Sequence, residues 1–228
     1  MDGRAGGVTP EPALRRAVQV GLRAYMRVWH RLTVEGRERL PATGPALVLA
    51  NHVSVLDVIA LAAANPFPGA TAAIKAEMFA RPGLGRILAA WEAIPVARDG
   101  QDAAALRALL AALRRGRVVG MAAEGRRSRS GRLGAVHPVL ARVAVRAGVP
   151  VVPLGIGGTF DALPPGARFP RRRPVRIRVG APLCFAPGTS GEAAAVRIRA
   201  AIAALLPPQQ RPLTDPLADP LADPLPAG

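Results

Sequence analysis

The sequence predicts an α/β fold with a mostly parallel central sheet flanked by helices. Three observations carry that expectation. From about residue 46 to residue 206, short apolar runs alternate with segments of helical periodicity, the order that builds parallel sheets. The run Ala46-Leu-Val-Leu-Ala50 is apolar at every position, as a strand covered on both faces must be. The chain has 228 residues, half of them hydrophobic, which is enough for one domain with a full core. Only 4% of residues are aromatic, so that core is built from Ala, Leu and Val.

The first periodic segment is Glu11–Leu32. Pro12 suits a first helical turn. Leu14, Ala17, Val18, Gly21, Leu22, Tyr25, Met26, Trp29 and Leu32 recur at helical spacing, with Arg15, Arg16, Arg23, Arg27 and Arg31 between them. A basic amphipathic helix of this kind suits a membrane interface, its arginines near lipid phosphates. It equally suits a helix packed on its own domain with a solvated basic face. After Gly36 the pattern predicts a strand at Ala46–Ala50, a helix at Ser54–Ala64 stopped by Asn65-Pro66, and a weak strand at Thr71–Ile74. Helical pieces come next in Glu77–Trp91, then a strand at Ala93–Val96, a helix at Gln101–Arg115 closed by Gly116, and a strand at Arg117–Ala122. A helix at Pro138–Ala147, a strand at Val149–Leu154, an alternating strand at Val175–Val179 that is either an edge or half-exposed, and a helix at Gly191–Leu206 complete the order. From Asp215 the four-residue repeat Asp-Pro-Leu-Ala sets a proline at every fourth position, which forbids a helix. The expected division is an amphipathic helix over 1–32, an α/β domain over 33–206 and a disordered tail over 207–228.

Lys and Arg number 31 against 15 Asp and Glu, a net charge of +16. An excess of this size predicts attraction to polyanions: nucleic acid, an anionic membrane or phosphorylated small molecules. Two Trp, one Tyr and five Phe leave little for base stacking, and no helix-turn-helix, zinc-finger or RNP pattern is visible, so nucleic acid is the weakest of the three. A single cysteine, Cys184, excludes an intrachain disulfide and a cysteine metal cluster. It is expected to be a small buried hydrophobe. Three histidines, His30, His52 and His137, leave little room for a histidine metal site. His30 is expected at the interfacial side of the first helix. The longest uncharged runs, Leu40–Leu56 and Val58–Ile74, are broken by Pro and Gly and are barely long enough to span a bilayer. Met1–Glu11 is polar and arginines interrupt the apolar residues beyond it, unlike a secretory signal. The expectation is a cytoplasmic protein, soluble or lying on a membrane surface.

Four clusters come directly after predicted strands or form them, and ligands in such folds sit beyond the carboxyl ends of strands. The first is Asn51-His52-Val-Ser54-Val-Leu-Asp57. Five residues along a helix turn through about 500°, so His52 and Asp57 would not share a helical face. They meet if His52 lies in the loop and Asp57 in the first turns of the next helix. Asp57 then accepts from one imidazole nitrogen and leaves the other as a base. The blander reading is a loop histidine beside a helix-start acid. The second cluster is Glu124-Gly125-Arg126-Arg127-Ser128-Arg129-Ser130-Gly131, where arginine forks and hydroxyls can hold a phosphate. The third is Ile94-Pro-Val-Ala-Arg98-Asp99-Gly100, and the fourth the proline-bracketed Val149-Pro150-Val151-Val152-Pro153. No serine lies in G-x-S-x-G, which argues against a serine hydrolase.

Taken in order, these blocks resemble the glycerolipid acyltransferases typified by 1-acylglycerol-3-phosphate (lysophosphatidic acid) acyltransferase. Asn51-His52-(four residues)-Asp57 is similar to the family's NHxxxxD, Arg98 to the arginine of its second block, Glu124-Gly125 and Arg127-Ser128 to its EGTRS, and Val149–Pro153 to its fourth block. The resemblance runs from about Leu32 to Pro182. Arg126 stands where the family has threonine, Ala123 where it has proline, and Val136-His137-Pro138-Val139 where it often has Phe-Lys-x-Gly. These departures bear on the acceptor head group more than on the chemistry.

The resemblance implies acyl transfer from acyl-coenzyme A or acyl-carrier protein to the free hydroxyl of a lysophospholipid, with 1-acylglycerol-3-phosphate as acceptor. It implies His52 as general base and Asp57 as its orienting acid, with no acyl-enzyme. Arg98, Glu124, Gly125, Arg126, Arg127 and Ser128 would bind the acceptor's phosphate and glycerol, and Pro153 would shape the end of the site. No cofactor or metal is implied, because a thioester is already an activated electrophile. The implied setting is peripheral, on the cytoplasmic face of the cell membrane, with an anionic membrane surface as partner and no nucleic acid. Glycerol-3-phosphate, a lyso-ornithine lipid or another lysolipid are the rival acceptors; a non-catalytic basic binding module is the rival of a different class.

Overall fold

An uninterrupted apolar strand needs cover on both faces, and Ala46–Ala50 (β2) obtains it at the centre of a seven-stranded sheet. The structure is a computed structural model that describes residues 12–67, 69–97 and 103–213. The predicted α/β class holds. Around β2 the sheet comprises Thr33–Glu35 (β1), Thr71–Lys75 (β3), Ile94–Val96 (β4), Val118–Ala122 (β5), Val151–Gly157 (β6) and Arg176–Val179 (β7), in the order β1-β7-β6-β2-β5-β3-β4. Every pair is parallel except β6–β7. Of the two readings of Val175–Val179, the half-exposed strand holds and the edge strand does not, since β7 lies between β1 and β6 with alternating burial. The three-residue β1, too short to register as a periodic signal, covers its outer side.

Alternation along β2 sorts the core into two layers. Leu47 and Leu49 face one way, against Leu109 and Leu113 of Ala103–Arg114 (α4), Val143 and Ala144 of Pro138–Ala147 (α5) and Ile198 and Ile202 of Gly191–Leu205 (α7). Ala46, Val48 and Ala50 face the other way, against Met26 of Pro12–Trp29 (α1) and Ala60 and Ala63 of Val55–Ala64 (α2). Small residues on this second face let the helices sit close to the sheet, which suits a chain poor in aromatics. Leu84–Ala90 (α3) packs on α1, and the short Thr159–Ala162 (α6) comes after β6.

The first helix is packed on the domain. Arg15 donates to the carbonyls of Phe67 and Ala70, Gln19 to those of Ala62 and Asn65, and Arg23 to that of Ala63. These carbonyls lie at and beyond the C-terminal end of α2, where cationic donors are favoured. Arg15 and Arg23 are thus occupied by backbone. Leu14, Val18, Leu22, Tyr25 and Met26 turn toward the domain, while Arg16, Val20, Arg27 and Val28 remain exposed.

Two expectations from the sequence are overturned by packing. His30 is not interfacial: it is fully buried, with Nδ1 donating to the Arg173 carbonyl at 3.0 Å and Nε2 accepting from the Tyr25 hydroxyl at 3.1 Å. Cys184 is exposed. Leu183 makes an isolated bridge to Val151, and Leu183 and Phe185 pack on the core, which turns the residue between them outward. The domain also continues past Leu206. Pro208–Gln210 form a 3₁₀ turn, Gln210 is buried, and its carbonyl accepts from Leu133 N–H at 2.9 Å. The Asp-Pro-Leu repeat lies outside the described residues, as does Met1–Glu11. No helix among the described residues is long and apolar enough to cross a membrane.

Candidate active site

Strands β2 and β5 are neighbours in register, Ala50 opposite Ala122, so the loops that leave their carboxyl ends meet. His52 lies just past β2 and Glu124 just past β5. Between them, Ser54 ends the loop as the N-cap of α2, and Asp57 completes a capping box by accepting from the Ser54 N–H at 2.8 Å. That local motif brings the acid back toward the loop. Asp57 Oδ2 also accepts from Val53 N–H at 2.7 Å and from His52 Nδ1 at 2.9 Å. One helix-capping carboxylate thus orients an imidazole, and the conflict between five-residue spacing and helical geometry disappears.

The two side chains are buried unequally. Asp57 is 2% exposed and His52 is 22% exposed. Among the described residues the imidazole bonds only through Nδ1. With Nδ1–H donating to a carboxylate, Nε2 is left with its lone pair free to accept a proton. Ser54 cannot serve as a nucleophile for this base, because its hydroxyl donates to the Leu163 carbonyl at 2.8 Å.

The second cluster clamps the histidine's backbone. Glu124 Oε1 accepts from His52 N–H at 3.1 Å, and Ser128 N–H donates to the His52 carbonyl at 2.7 Å. Glu124 Oε2 accepts from Gly134 N–H at 3.1 Å. Both oxygens of Glu124 are therefore engaged by backbone. Gly125 adopts a positive φ of 69°, and a Cβ there would press on the His137 ring at 3.2 Å. His137 itself caps α5, accepting from Val139 N–H, and its burial lowers its pKa, with Arg142 adding to the effect. Arg126 and Arg127 are exposed beside this clamp. Arg98 lies outside the described residues. Pro153 lies inside β6, buried opposite Leu49.

Sequence reasoning assigned no separate task to Asn51. It is 1% exposed, and its side-chain amide both donates to the Ile156 carbonyl at 3.0 Å and accepts from Ile156 N–H at 2.7 Å. It extends the β2–β6 ladder one step past the end of β2 and fixes where His52 leaves the sheet. An asparagine directly after a buried strand and directly before the histidine was the available signal.

Burial raises the Glu124 carboxyl from its ordinary 4.5 to about 7, against the lowering effect of the two backbone N–H bonds and of His52. The folded chain then holds a proton that the unfolded chain has lost. Glu124's contribution is complete below pH 4.5 and gone once the pH has risen through 7. In denaturant titrations, wild type should lose roughly 3 kcal/mol between those limits relative to Glu124→Gln, which cannot titrate. Parallel stability curves for the two proteins would show that Glu124 does not titrate in that window.

The chloroplastic 1-acyl-sn-glycerol-3-phosphate acyltransferase LPAT1 of Arabidopsis thaliana is 30% identical over 143 residues, which are 61% of this chain and 39% of the relative. The chloroplastic 1-acyl-sn-glycerol-3-phosphate acyltransferase BAT2 of Brassica napus is 28% identical over 145 residues, 61% of this chain and 41% of that protein. The chain thus spans about two fifths of the length of these curated relatives. The fold is shared with the crystal structure of the 1-acyl-sn-glycerophosphate (LPA) acyltransferase PlsC of Thermotoga maritima, at a TM-score of 0.69 and 24% identity, over 82% of this chain and 78% of that one. A model of the Acyltransferase family matches residues 31–157. That match takes in more than half of the chain, every strand from β1 to β6 and the whole of the His52 loop, and on it the chain belongs to the acyltransferase family.

Proposed function

We propose that this chain moves a fatty acyl group from a thioester, acyl-coenzyme A or acyl-carrier protein, to the free hydroxyl of 1-acylglycerol-3-phosphate, giving phosphatidic acid. The observation that carries the chemistry is the His52–Asp57 contact of 2.9 Å on a partly exposed imidazole, whose second nitrogen has no hydrogen-bond partner among the described residues. In this reading Nε2 takes the hydroxyl proton as the oxygen attacks the thioester carbonyl. Asp57 stabilises the resulting imidazolium. The tetrahedral intermediate then collapses by breaking the carbon–sulfur bond, and the departing sulfur receives the proton back from His52. The product is an ester and a free thiol, with no acyl-enzyme. Glu124 and the Ser128 backbone N–H serve by holding the His52 peptide at both ends. Arg127, together with Arg126 and Arg98, supplies cations for the acceptor phosphate.

The names of the curated relatives support 1-acylglycerol-3-phosphate as acceptor. The same reading puts the chain at the cytoplasmic face of the cell membrane as a peripheral protein. Its net charge of +16 and the exposed Arg16, Val20, Arg27 and Val28 of α1 support an anionic membrane surface as partner. The test is thiol release from acyl-coenzyme A or acyl-carrier protein in the presence of 1-acylglycerol-3-phosphate, glycerol-3-phosphate or a lyso-ornithine lipid. Release with the first acceptor above the other two is the expected outcome. Faster release with another acceptor would replace the substrate and keep the chemistry, and no release with any of them would remove the activity.

A further inference from the structure

The arginine run Arg171-Arg172-Arg173 takes no part in the His52 site, yet its backbone is firmly held. Arg171 N–H donates to the Ala162 carbonyl at 2.7 Å, the Arg173 carbonyl accepts from His30, and Val175 N–H donates to the His30 carbonyl at 2.8 Å. Gly158 lies so close beneath that a Cβ there would overlap the Pro174 carbonyl. Two grooves open on this segment and share Arg173. One, of about 430 Å³, is lined by Phe160, Asp161, Pro164, Arg171 and Arg173. The other, of about 190 Å³, is lined by Trp29, Arg31, Arg172, Arg173 and Pro174.

The charges here are not compensated. Some arginines elsewhere do find acids: Arg176 and Arg178 pair with Glu35 at 2.9 and 3.0 Å, and Arg117 with Glu92 at 2.8 Å. Among the described residues Arg31, Arg171, Arg172 and Arg173 have no ion-pair partner, and Asp161 is the single acid lining either groove. Around these cations stand exposed apolar side chains: Trp29 at 43%, Val28 at 69% and Phe169 at 81%.

Topology puts this surface at the same end of the sheet as His52. Residue Arg176 opens β7 opposite Gly157, at the carboxyl end of β6, and Thr33 opens β1 opposite Arg176. The segments 29–33 and 171–176 therefore border the carboxyl ends of β6 and β2. Contacts between the loops agree, since the Ser54 hydroxyl donates to the Leu163 carbonyl and Phe160 lies against Gly131.

We propose that Trp29, Arg31, Arg171, Arg172 and Arg173 form a docking platform for the phosphodiester headgroups of an anionic bilayer, facing the membrane at the end of the sheet where His52 stands. This rests on the reading of the chain as an enzyme of membrane lipids. Guanidinium forks match phosphate oxygens. Tryptophan is favoured at the headgroup level, and clustered cations gain from the surface potential of anionic lipid. The arrangement lets a lysolipid leave the bilayer beside the base that activates it.

The test is co-sedimentation of the full chain with phosphatidylglycerol–phosphatidylcholine vesicles and with pure phosphatidylcholine vesicles. The triple variant Arg171→Gln, Arg172→Gln, Arg173→Gln should lose on the order of 100-fold in partition onto the anionic vesicles. Its turnover of a short-chain lysophosphatidate, dissolved as monomers, should match wild type. Undiminished vesicle binding would overturn the platform. So would an equal loss of turnover with the monomeric acceptor, which would assign these arginines to the acceptor phosphate. Wild type that ignores anionic vesicles but is retained on DNA would overturn it too. If circular dichroism shows the triple variant unfolded, Arg31→Gln with Arg172→Gln decides in the same way, with at least about a tenfold loss expected. Wild type that transfers acyl groups without binding anionic vesicles overturns the platform alone. Wild type that binds them and transfers nothing overturns the enzymatic reading alone.

Discussion

Replacing His52 by alanine is expected to lower lysophosphatidate-dependent thiol release by about 10²–10⁴-fold, the range for losing a positioned general base. The fold should survive the change. The His52 backbone keeps its bonds to Glu124 and Ser128, and the imidazole is partly exposed, so its removal opens no sealed cavity. Loss should fall on kcat, because the base acts as the oxygen attacks and not when the lipid binds. The measurement is steady-state kinetics beside a thermal melt. A variant that melts like wild type and keeps most of its turnover would take His52 out of the mechanism.

Asp57→Asn should cost almost as much, about 10²–10³-fold, by a different route. Oδ2 of Asp57 serves three donors: His52 Nδ1 and the N–H groups of Val53 and Ser54. An asparagine that turns its oxygen to the Oδ2 position keeps those bonds. Its amide nitrogen then falls where Oδ1 sits, buried and without a hydrogen-bond partner. The loop stays in place but the negative charge is gone, so the imidazolium formed during attack is no longer stabilised. Asp57→Leu removes all three acceptor contacts and should lower the melting temperature as well. If Asp57→Asn retained wild-type kcat, the carboxylate would be a helix cap and nothing more.

Much of this is legible without coordinates. The parallel sheet is written in apolar runs separated by helical periods, and the candidate pair is a histidine and an acid just past the most apolar run. Where the sequence misleads, the cause is the same each time: a local pattern does not say what will pack over it. His30 looks interfacial because its neighbours are amphipathic, but the chain from Arg173 to Val175 closes over it. Cys184 looks like core because cysteine usually is, but the bridge at Leu183 sets the alternation that turns it out. Glu124 and Ser128 look like part of a phosphate loop. Their partner, 72 residues away in the case of Glu124, is the histidine's own backbone.

By itself, then, the order of residues determined the class of fold and the surplus of positive charge, because both are written in composition and periodicity, and its blocks carried the resemblance that singled out His52 and Asp57. Tertiary structure alone decided that β2 and β5 would lie side by side, that Glu124 and Ser128 beyond β5 would hold the His52 backbone, and that Arg31 and the Arg171–Arg173 run would stand at the same carboxyl end of the sheet. Those are contacts between segments that meet only when the sheet assembles, and no window of neighbouring residues contains the partners that make them.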